Sequence, residues 1–371
     1  MIALLGVPWD GGASFERGAA AGPAAIRRRL WSAAGNAYAE SGRDVLAALV
    51  DCGDAEFPPE EAAALAAIQI AAEQAAEHGP VLALGGDHSV SLPLLRAAAA
   101  RHGPLHVLHI DAHPDLYPEL DGRRYSNASP FARAFEEGLL ASLTQLGIRA
   151  DSPPQREMAR RWNVVQHGPD AVAAFDPGAL QAPLYLSIDI DGFDPAFAPG
   201  VSHPEAGGLT PREVLSVLRR LPHPWVGADV VEVVPARDAA GITAVLAVKL
   251  VKELIDAQDR FAGIAFAVAV GILEDDPAGE IASRAGGSGC VGVVGRAQRD
   301  GALTLDGLGA RQRDAGEEVV GDGREPVVLP ELAEVGRPDR EDDGGQRDHD
   351  HEFHEREAPN RHIPAPHGSR I

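Results

Sequence analysis

Up to about residue 270, short apolar runs alternate with stretches whose apolar positions recur at helical spacing. The runs are Ile2 to Val7, Val45 to Val50, Val81 to Leu84, Leu105 to Ile110, Leu143 to Ile148, Leu184 to Ile190 and Val226 to Val234. Several are rich in β-branched residues, short, and bounded by Gly, Pro or Asp, the form of a buried strand. Between them, Pro23 to Leu30, Glu60 to Glu77, Leu92 to Arg101, Pro130 to Glu137, Pro211 to Leu221 and Thr243 to Ala257 read as helices. Such alternation predicts a mostly parallel central sheet with helices on both faces. In such sheets ligands bind beyond the carboxyl ends of the strands, so the chemistry is expected where the apolar runs stop.

Beyond that point the texture changes. Gly279 to Gly295 is rich in Gly and Ala, and the remainder mixes Asp, Glu, Arg, Gly and His without period. The expected organisation is a folded domain over 1–265 and a low-complexity acidic tail over 266–371. That tail reads either as disordered or as the product of a reading-frame change, suggested by the string RDHDHEFHEREAPNRHIPAPHGSRI. Its His349, His351 and His354 read as solvated residues rather than metal ligands.

Composition narrows the picture a little further. Of 371 residues, 45% are hydrophobic, enough for a substantial core. The net charge of −22 argues against a nucleic-acid partner and is compatible with a cationic substrate. Two cysteines, Cys52 and Cys290, make no disulfide framework. The opening MIALLGVPWDGG lacks a basic region, and its apolar run is too short for a signal peptide or a bilayer span. The expectation is a cytoplasmic protein without a membrane partner.

Three strand ends hold acids and histidines that a core does not need. They are VLALGGDHSV with His88, VLHIDAHPD with Asp111, His113 and Asp115, and LYLSIDIDGFDP with Asp189, Asp191 and Asp194. In an extended chain alternate residues share a side, so Asp111, His113 and Asp115 are expected to converge, as are Asp189 and Asp191. Unpaired carboxylates there would repel one another and be costly to desolvate. Four carboxylates beside two neutral imidazoles carry four negative charges, which two divalent cations balance. Oxygen-rich ligation with some imidazole suits manganese; nickel, cobalt and iron stay open on softness alone. Taken singly, a Gly-Gly-Asp-His is more often a turn, and an Asp-x-Asp is often a loop cap. Three such runs in one α/β chain are a different matter. By contrast, GVPWDGGASFERGAAAGP lacks the Gly-Lys-Ser/Thr of a phosphate loop and the spacing of a dinucleotide site, so no organic cofactor is assigned.

These motifs resemble those of the arginase/agmatinase family of ureohydrolases, over residues 1 to about 260. The resemblance implies a three-layer α/β/α fold, a two-manganese cluster and assembly into trimers or hexamers. By position, His88, Asp111, Asp115 and Asp189 would hold one metal. His113 and Asp191 would complete the second, with Asp111 and Asp189 bridging. The implied chemistry is attack by a metal-bridging hydroxide on a guanidinium or amidine carbon, releasing urea and an amine. Glu232 in ADVVEVVPARD matches the family's glutamate that faces the guanidinium. Without the resemblance, a strand-end acid paired with Arg237 is the ordinary reading. Asp194 reads as a residue that supports the ligands or shapes their loop.

Two departures bear on substrate. Many family members carry a proton-shuttling histidine about a dozen residues after the DAHxD motif, where this chain has Asn127 in RRYSNASPFAR. An amide cannot transfer a proton at neutral pH. Three readings follow: another acid serves, with His203 in APGVSHPEAGGLT the candidate; the substrate needs that transfer less, as in formimidoylglutamase-type members; or a non-catalytic metal-binding homologue remains. Leu116-Tyr117-Pro118 also stands where members that hold the α-groups of L-arginine have an asparagine, which argues against free L-arginine. The expected function is a binuclear metal-dependent amidinohydrolase for a guanidino compound of arginine, agmatine or guanidino-acid type.

Overall fold

The computed structural model describes residues 1–269, 273–275 and 281–283, with side chains through 261. Eight strands form one sheet: β1 (Ile2–Val7), β2 (Leu49–Asp54), β3 (Val81–Gly85), β4 (Leu105–Ile110), β5 (Leu140–Leu146), β6 (Val165–His167), β7 (Leu184–Asp189) and β8 (Trp225–Val231). Their order is β2-β1-β3-β8-β7-β4-β5-β6, and every neighbouring pair is parallel.

Strand alternation feeds two separate cores. Ile2, Leu4, Leu82, Leu84, Leu108 and Ile110 enter one; Ala3, Leu5, Ala83 and Val107 enter the other. The first core takes Ile26 and Leu30 of α1 (Gly22–Leu30), Val214 and Leu215 of α7 (Pro211–Leu218), and Leu250 and Leu254 of α8 (Ile242–Ala269). The second takes Ala64 and Ile68 of α2 (Glu61–Ala75), Leu92 and Leu95 of α3 (Ser91–His102), Phe131 of α4 (Pro130–Glu136) and Ala159 of α5 (Pro153–Arg161). A short α6 covers Pro169–Val172. The result is the three-layer α/β/α arrangement, with central strands apolar on both faces because both are covered. Local chemistry sets the helix starts. Thr210 and Glu213 form a reciprocal capping box around Pro211 at the head of α7.

Some expectations shift. The run Val45 to Val50 begins as a 3-10 turn (Leu46–Ala48), and the strand starts only at Leu49. This edge strand is largely exposed and carries Asp51 and Asp54, which pair with Arg27 at 3.0 and 2.5 Å. The strand expected over Leu143 to Ile148 starts earlier, at Leu140, and ends at Leu146. The last helix, α8, runs through residue 265 to Ala269. Past it, β9 (Leu273–Asp275) pairs antiparallel with β10 (Ile281–Ser283). Otherwise the readings made for 270–371, with Cys290, His349, His351 and His354, lie outside the described residues. Among the described residues, no helix is long and apolar enough to cross a membrane.

Candidate metal centre

The strands β3, β8, β7 and β4 are consecutive in the sheet, and their carboxyl ends carry His88, Glu232, Asp189 and Asp111 in turn. After β3 the chain passes so close to Trp9 that a Cβ on Gly86 would overlap the Trp9 carbonyl. Only glycine allows that approach. Asp87 then caps the turn His88–Val90, its Oδ1 accepting from Ser89 N at 3.0 Å.

The six expected ligands come together. His88 Nδ1 lies 3.2 Å from Asp111 Oδ2, 2.9 Å from Asp115 Oδ2 and 3.2 Å from Asp189 Oδ2. His113 Nδ1 lies 3.4 Å from Asp111 Oδ1 and 3.1 Å from Asp191 Oδ2. Asp111 thus presents one oxygen to each imidazole.

They converge by a different backbone route from the one alternation predicts. An extended strand separates i and i+4 by about 13 Å, too far to meet at one ion. Here β4 ends at Ile110 and the chain bends, with Asp115 at φ +51°. Likewise β7 ends at Asp189, whose Oδ1 accepts from Asp191 N at 2.8 Å and starts a 3-10 turn, Ile190–Gly192. Gly192 lies against Asp111, where a Cβ would come within 2.9 Å of its backbone nitrogen.

Hydrogen bonding fixes which ring nitrogen of His88 carries the proton. Ser187 Oγ donates to Asp229 Oδ1 at 2.7 Å, and Tyr185 Oη donates to Asp229 Oδ2 at 2.8 Å. Having spent its one proton, Ser187 Oγ accepts from His88 Nε2 at 2.9 Å. His88 Nδ1 therefore turns a lone pair toward three carboxylates, and it is a buried atom without a hydrogen-bond partner. One imidazole nitrogen and three carboxylate oxygens converging on a buried point are a donor set that fits a divalent metal. The carboxylates show the same tension. Burial, then Asp191 and Asp111, pushes Asp189 well above the usual carboxylate range; burial and then Asp111 pushes Asp191 to about 6. Among the described residues no Lys or Arg forms an ion pair with Asp111, Asp115, Asp189 or Asp191; imidazoles alone do.

A second group adjoins this one. Glu232 is buried at φ +64°, and its Oε1 accepts from His88 N at 2.9 Å and Asn127 Nδ2 at 3.3 Å. Its Oε2 accepts from Ser202 Oγ at 3.3 Å. Burial and then Asp87 push its carboxyl up to about 8. The alternative pairing with Arg237 does not occur, because Arg237 binds Glu16 at 3.2 Å and the carbonyls of Val201 and Ser202. His203 is held by Ser202 Oγ at 2.9 Å and Ser14 Oγ at 3.4 Å, its ring 5.9 Å from those of His113 and Phe15. Leu116 is fully buried, and its side chain has no polar group to offer a ligand. Asp194 ties its own loop, accepting from the backbone of Ala196, Gly207 and Gly208.

With this geometry in hand, the comparisons with known proteins are decisive. The family model described as the arginase family matches residues 1–256. The chain belongs to the arginase family. It is 40% identical over 270 residues to arginase 1, mitochondrial, of Arabidopsis thaliana, covering 68% of this chain and 79% of that one. Proclavaminate amidinohydrolase of Streptomyces clavuligerus is 37% identical over 280 residues (68% and 87% covered). Its solved structure matches with a TM-score of 0.63 at 36% identity, covering 69% of this chain and 91% of that one. Guanidinopropionase of Pseudomonas aeruginosa is 37% identical over 273 residues (68% and 85%).

Several residues of this arginase-family site escape a reading of the sequence. His109 is fully buried and stands 2.7 Å from Asp111 Oδ2 through Nε2. Its Nδ1 accepts from Gln145 Nε2 at 2.9 Å, so both ring nitrogens are spent within the protein and neither has a lone pair for an ion. His109 also holds Asp111 well below the usual carboxylate range against the effect of burial. Arg149 donates to the carbonyls of Asp191, Gly192 and Glu205 at 2.8, 3.0 and 2.7 Å, clamping the loop that carries Asp191. The one available signal was the position of His109, two residues before Asp111 and so on the same side of the strand.

Proposed function

We propose that the chain is a binuclear metal-dependent amidinohydrolase that cleaves a guanidino compound to urea and an amine. Family membership makes it a hydrolase of amidino carbon–nitrogen bonds; the substrate and the two-ion site are the finer part of the reading. One observation carries it: His88 Nδ1 and the oxygens of Asp111, Asp115 and Asp189 converge within 2.9 to 3.2 Å in a buried place where, among the described residues, no Lys or Arg pairs with them. His88, Asp111, Asp115 and Asp189 would hold one ion and His113 and Asp191 the other, with Asp111 and Asp189 reaching both. When bound, the two ions, manganese on the strength of the oxygen-rich donors, bring water to nucleophilic strength near neutral pH.

The side chains account for the rest. Glu232 presents a buried carboxylate that can hold a planar amidinium through two parallel hydrogen bonds. His203, engaged by Ser14 and Ser202, would hand a proton to the departing amine. Relatives named arginase, amidinohydrolase and guanidinopropionase share 40%, 37% and 37% identity with the chain, so overall likeness does not choose among guanidino compounds. Asn127 favours a second reading, a formimidoyl-group hydrolase, because its amide stands beside Glu232 and cannot shuttle a proton.

The activity is assigned to residues 1–265, supported by the family match over 1–256. A cytoplasmic homo-oligomer, trimer or hexamer, completes the reading, and sedimentation would measure the assembly. The deciding experiment loads the full chain with manganese and offers arginine, agmatine, guanidinobutyrate, guanidinopropionate and formimidoylglutamate, scoring urea and ammonia separately. Urea from a guanidino compound is expected. Ammonia or formamide from formimidoylglutamate would move the chain to the second reading. Silence on all five with two metals bound would sink both and leave a metal-binding homologue.

A further inference from the structure

Asn127 does something other than mark a missing histidine. It is buried, and it joins three segments that are distant in sequence. Its backbone N–H donates to Gly12 O at 2.9 Å. Its Oδ1 accepts from Ser14 N at 3.1 Å and Ser126 Oγ at 3.2 Å, and its Nδ2 donates to Glu232 Oε1 at 3.3 Å. The two ends of the amide cannot be exchanged, because Ser14 N–H can only donate and must therefore meet the amide oxygen. A side chain in this place must offer an acceptor to the 10–18 loop and a donor to Glu232 within one short group. Aspartate supplies the first and not the second, and it adds a charge beside Glu232. Alanine supplies neither.

The loop held this way forms one side of the site. Ser14 reaches His203, and Phe15 lies beside the same ring. Two further ties restrain the loop: Asp10 Oδ2 accepts from Gly18 N at 2.8 Å, and Arg123 donates to the carbonyls of Gly11 and Ala13. Glu232 is anchored from other directions by His88 N and Ser202 Oγ. Asn127 is the direct link between this loop and that carboxylate.

We infer that Asn127 is a positioning residue, which locks Glu232 and the Ser14–Phe15 segment into one preformed wall for the amidinium. This rests on the assignment of Glu232 as the amidinium's partner. Preorganisation of that kind is expressed in ground-state binding, so its loss raises KM more than it lowers kcat.

The test uses the full, manganese-loaded chain with Asn127→Ala and Asn127→Asp, and whichever guanidino compound the unaltered protein hydrolyses. Asn127→Ala should raise KM about tenfold or more, with a smaller change in kcat, unchanged metal per chain and faster amide exchange at Ser14. Asn127→Asp keeps an acceptor for Ser14, so that amide stays protected while KM still rises. Unchanged metal content separates this effect from damage to the ion ligands. A KM within about twofold of the unaltered protein in both variants would overturn the inference. So would unchanged Ser14 exchange in Asn127→Ala. If that variant fails to fold, Asn127→Asp carries the test alone. If the unaltered protein hydrolyses no amidino compound, the proposed function fails, while the exchange at Ser14 still decides whether Asn127 holds the loop.

Discussion

The molecule gathers carboxylates in two places and treats them in opposite ways. At the carboxyl ends of β3, β4, β7 and β8, Asp111, Asp115, Asp189, Asp191 and Glu232 are all buried, and the ion pairs they make are with imidazoles. Where residues 36–43 meet α8, each acid has a full cation. Glu40 is met by Arg212 at 2.8 Å, Arg219 at 2.6 Å and Lys249 at 3.0 Å; Glu253 is met by Lys249 at 2.5 Å and Arg219 at 3.3 Å. The second cluster is complete as protein. In the first, among the described residues, imidazoles alone answer the acids. Burial of unmatched charge, more than the number of acids, is what distinguishes a site from a structural network.

Removing a ligand should break this contrast most severely. Asp111→Ala and Asp189→Ala should each lower activity by more than about 100-fold, since changes one step further from a metal already reach that size. Each should also reduce the metal bound per chain. Elemental analysis checks that, and full manganese occupancy in both variants would refute the site as drawn. Next in size is the metal itself. At about 1,000 times its dissociation constant, an ion that binds only the folded chain adds roughly 4 kcal/mol. Chelation should therefore lower the melting temperature by several degrees, and re-added manganese should restore it. The same treatment of an Asp189→Ala chain should change little, which ties the shift to this site.

Glu232 gives a smaller and more selective effect. Glu232→Gln keeps much of the side chain's shape but cannot become the carboxylate that pairs with the amidinium. Hydrogen bonds to charged groups contribute about 1.5–3 kcal/mol, so kcat/KM should fall by about 10- to 100-fold with both ions retained. A loss of metal from this variant would instead make Glu232 a support for the His88 turn, whose backbone it also binds.

The two clusters were unequally legible in the sequence. The site sits on strand ends, where apolar runs stop and Gly-Gly-Asp-His, Asp-Ala-His-Pro-Asp and Asp-Ile-Asp stand out against them. Its supporting residues hide for the same reason. His109, Ser187 and Asp229 lie inside the runs and read as strand. Their partners, Gln145 among them, are fixed by strand neighbours that only the sheet order β8-β7-β4-β5 reveals. The fold followed a similar rule. Strands buried on both faces were visible: Ile2–Val7 and Leu105–Ile110 start and stop where the apolar runs do. The short edge strand Val165–His167 and the polar helix Pro153–Arg161, which buries little beyond Gln155 and Ala159, hold too few apolar residues to stand out. These elements were therefore missed, as was the short helix Pro169–Val172, and the β2 edge was placed too early.

The Glu40 network is the far end of this contrast, and the smallest effect is expected there. Its members come from residues 40, 212, 219, 249 and 253, which no motif connects. Arg212 first and then Lys249 hold the Glu40 carboxyl at about 2, against 4.5 for the free group. A carboxyl depressed in the folded chain adds stability above its unfolded value and loses it as pH falls through its folded one. The network's contribution should thus be full at pH 7, decline below about 4.5 and be gone near 2. Glu40 is largely exposed, so solvent screening keeps the contribution to about 1 kcal/mol or less. Urea unfolding of Glu40→Gln beside the unaltered chain, with metal content matched, measures it. A small deficit at pH 7 that closes on acidification, with unchanged metal binding, would mark a structural network. A large deficit, or one accompanied by lost manganese, would mean that the 36–43 segment and α8 support the metal centre, and the two clusters would no longer be separable.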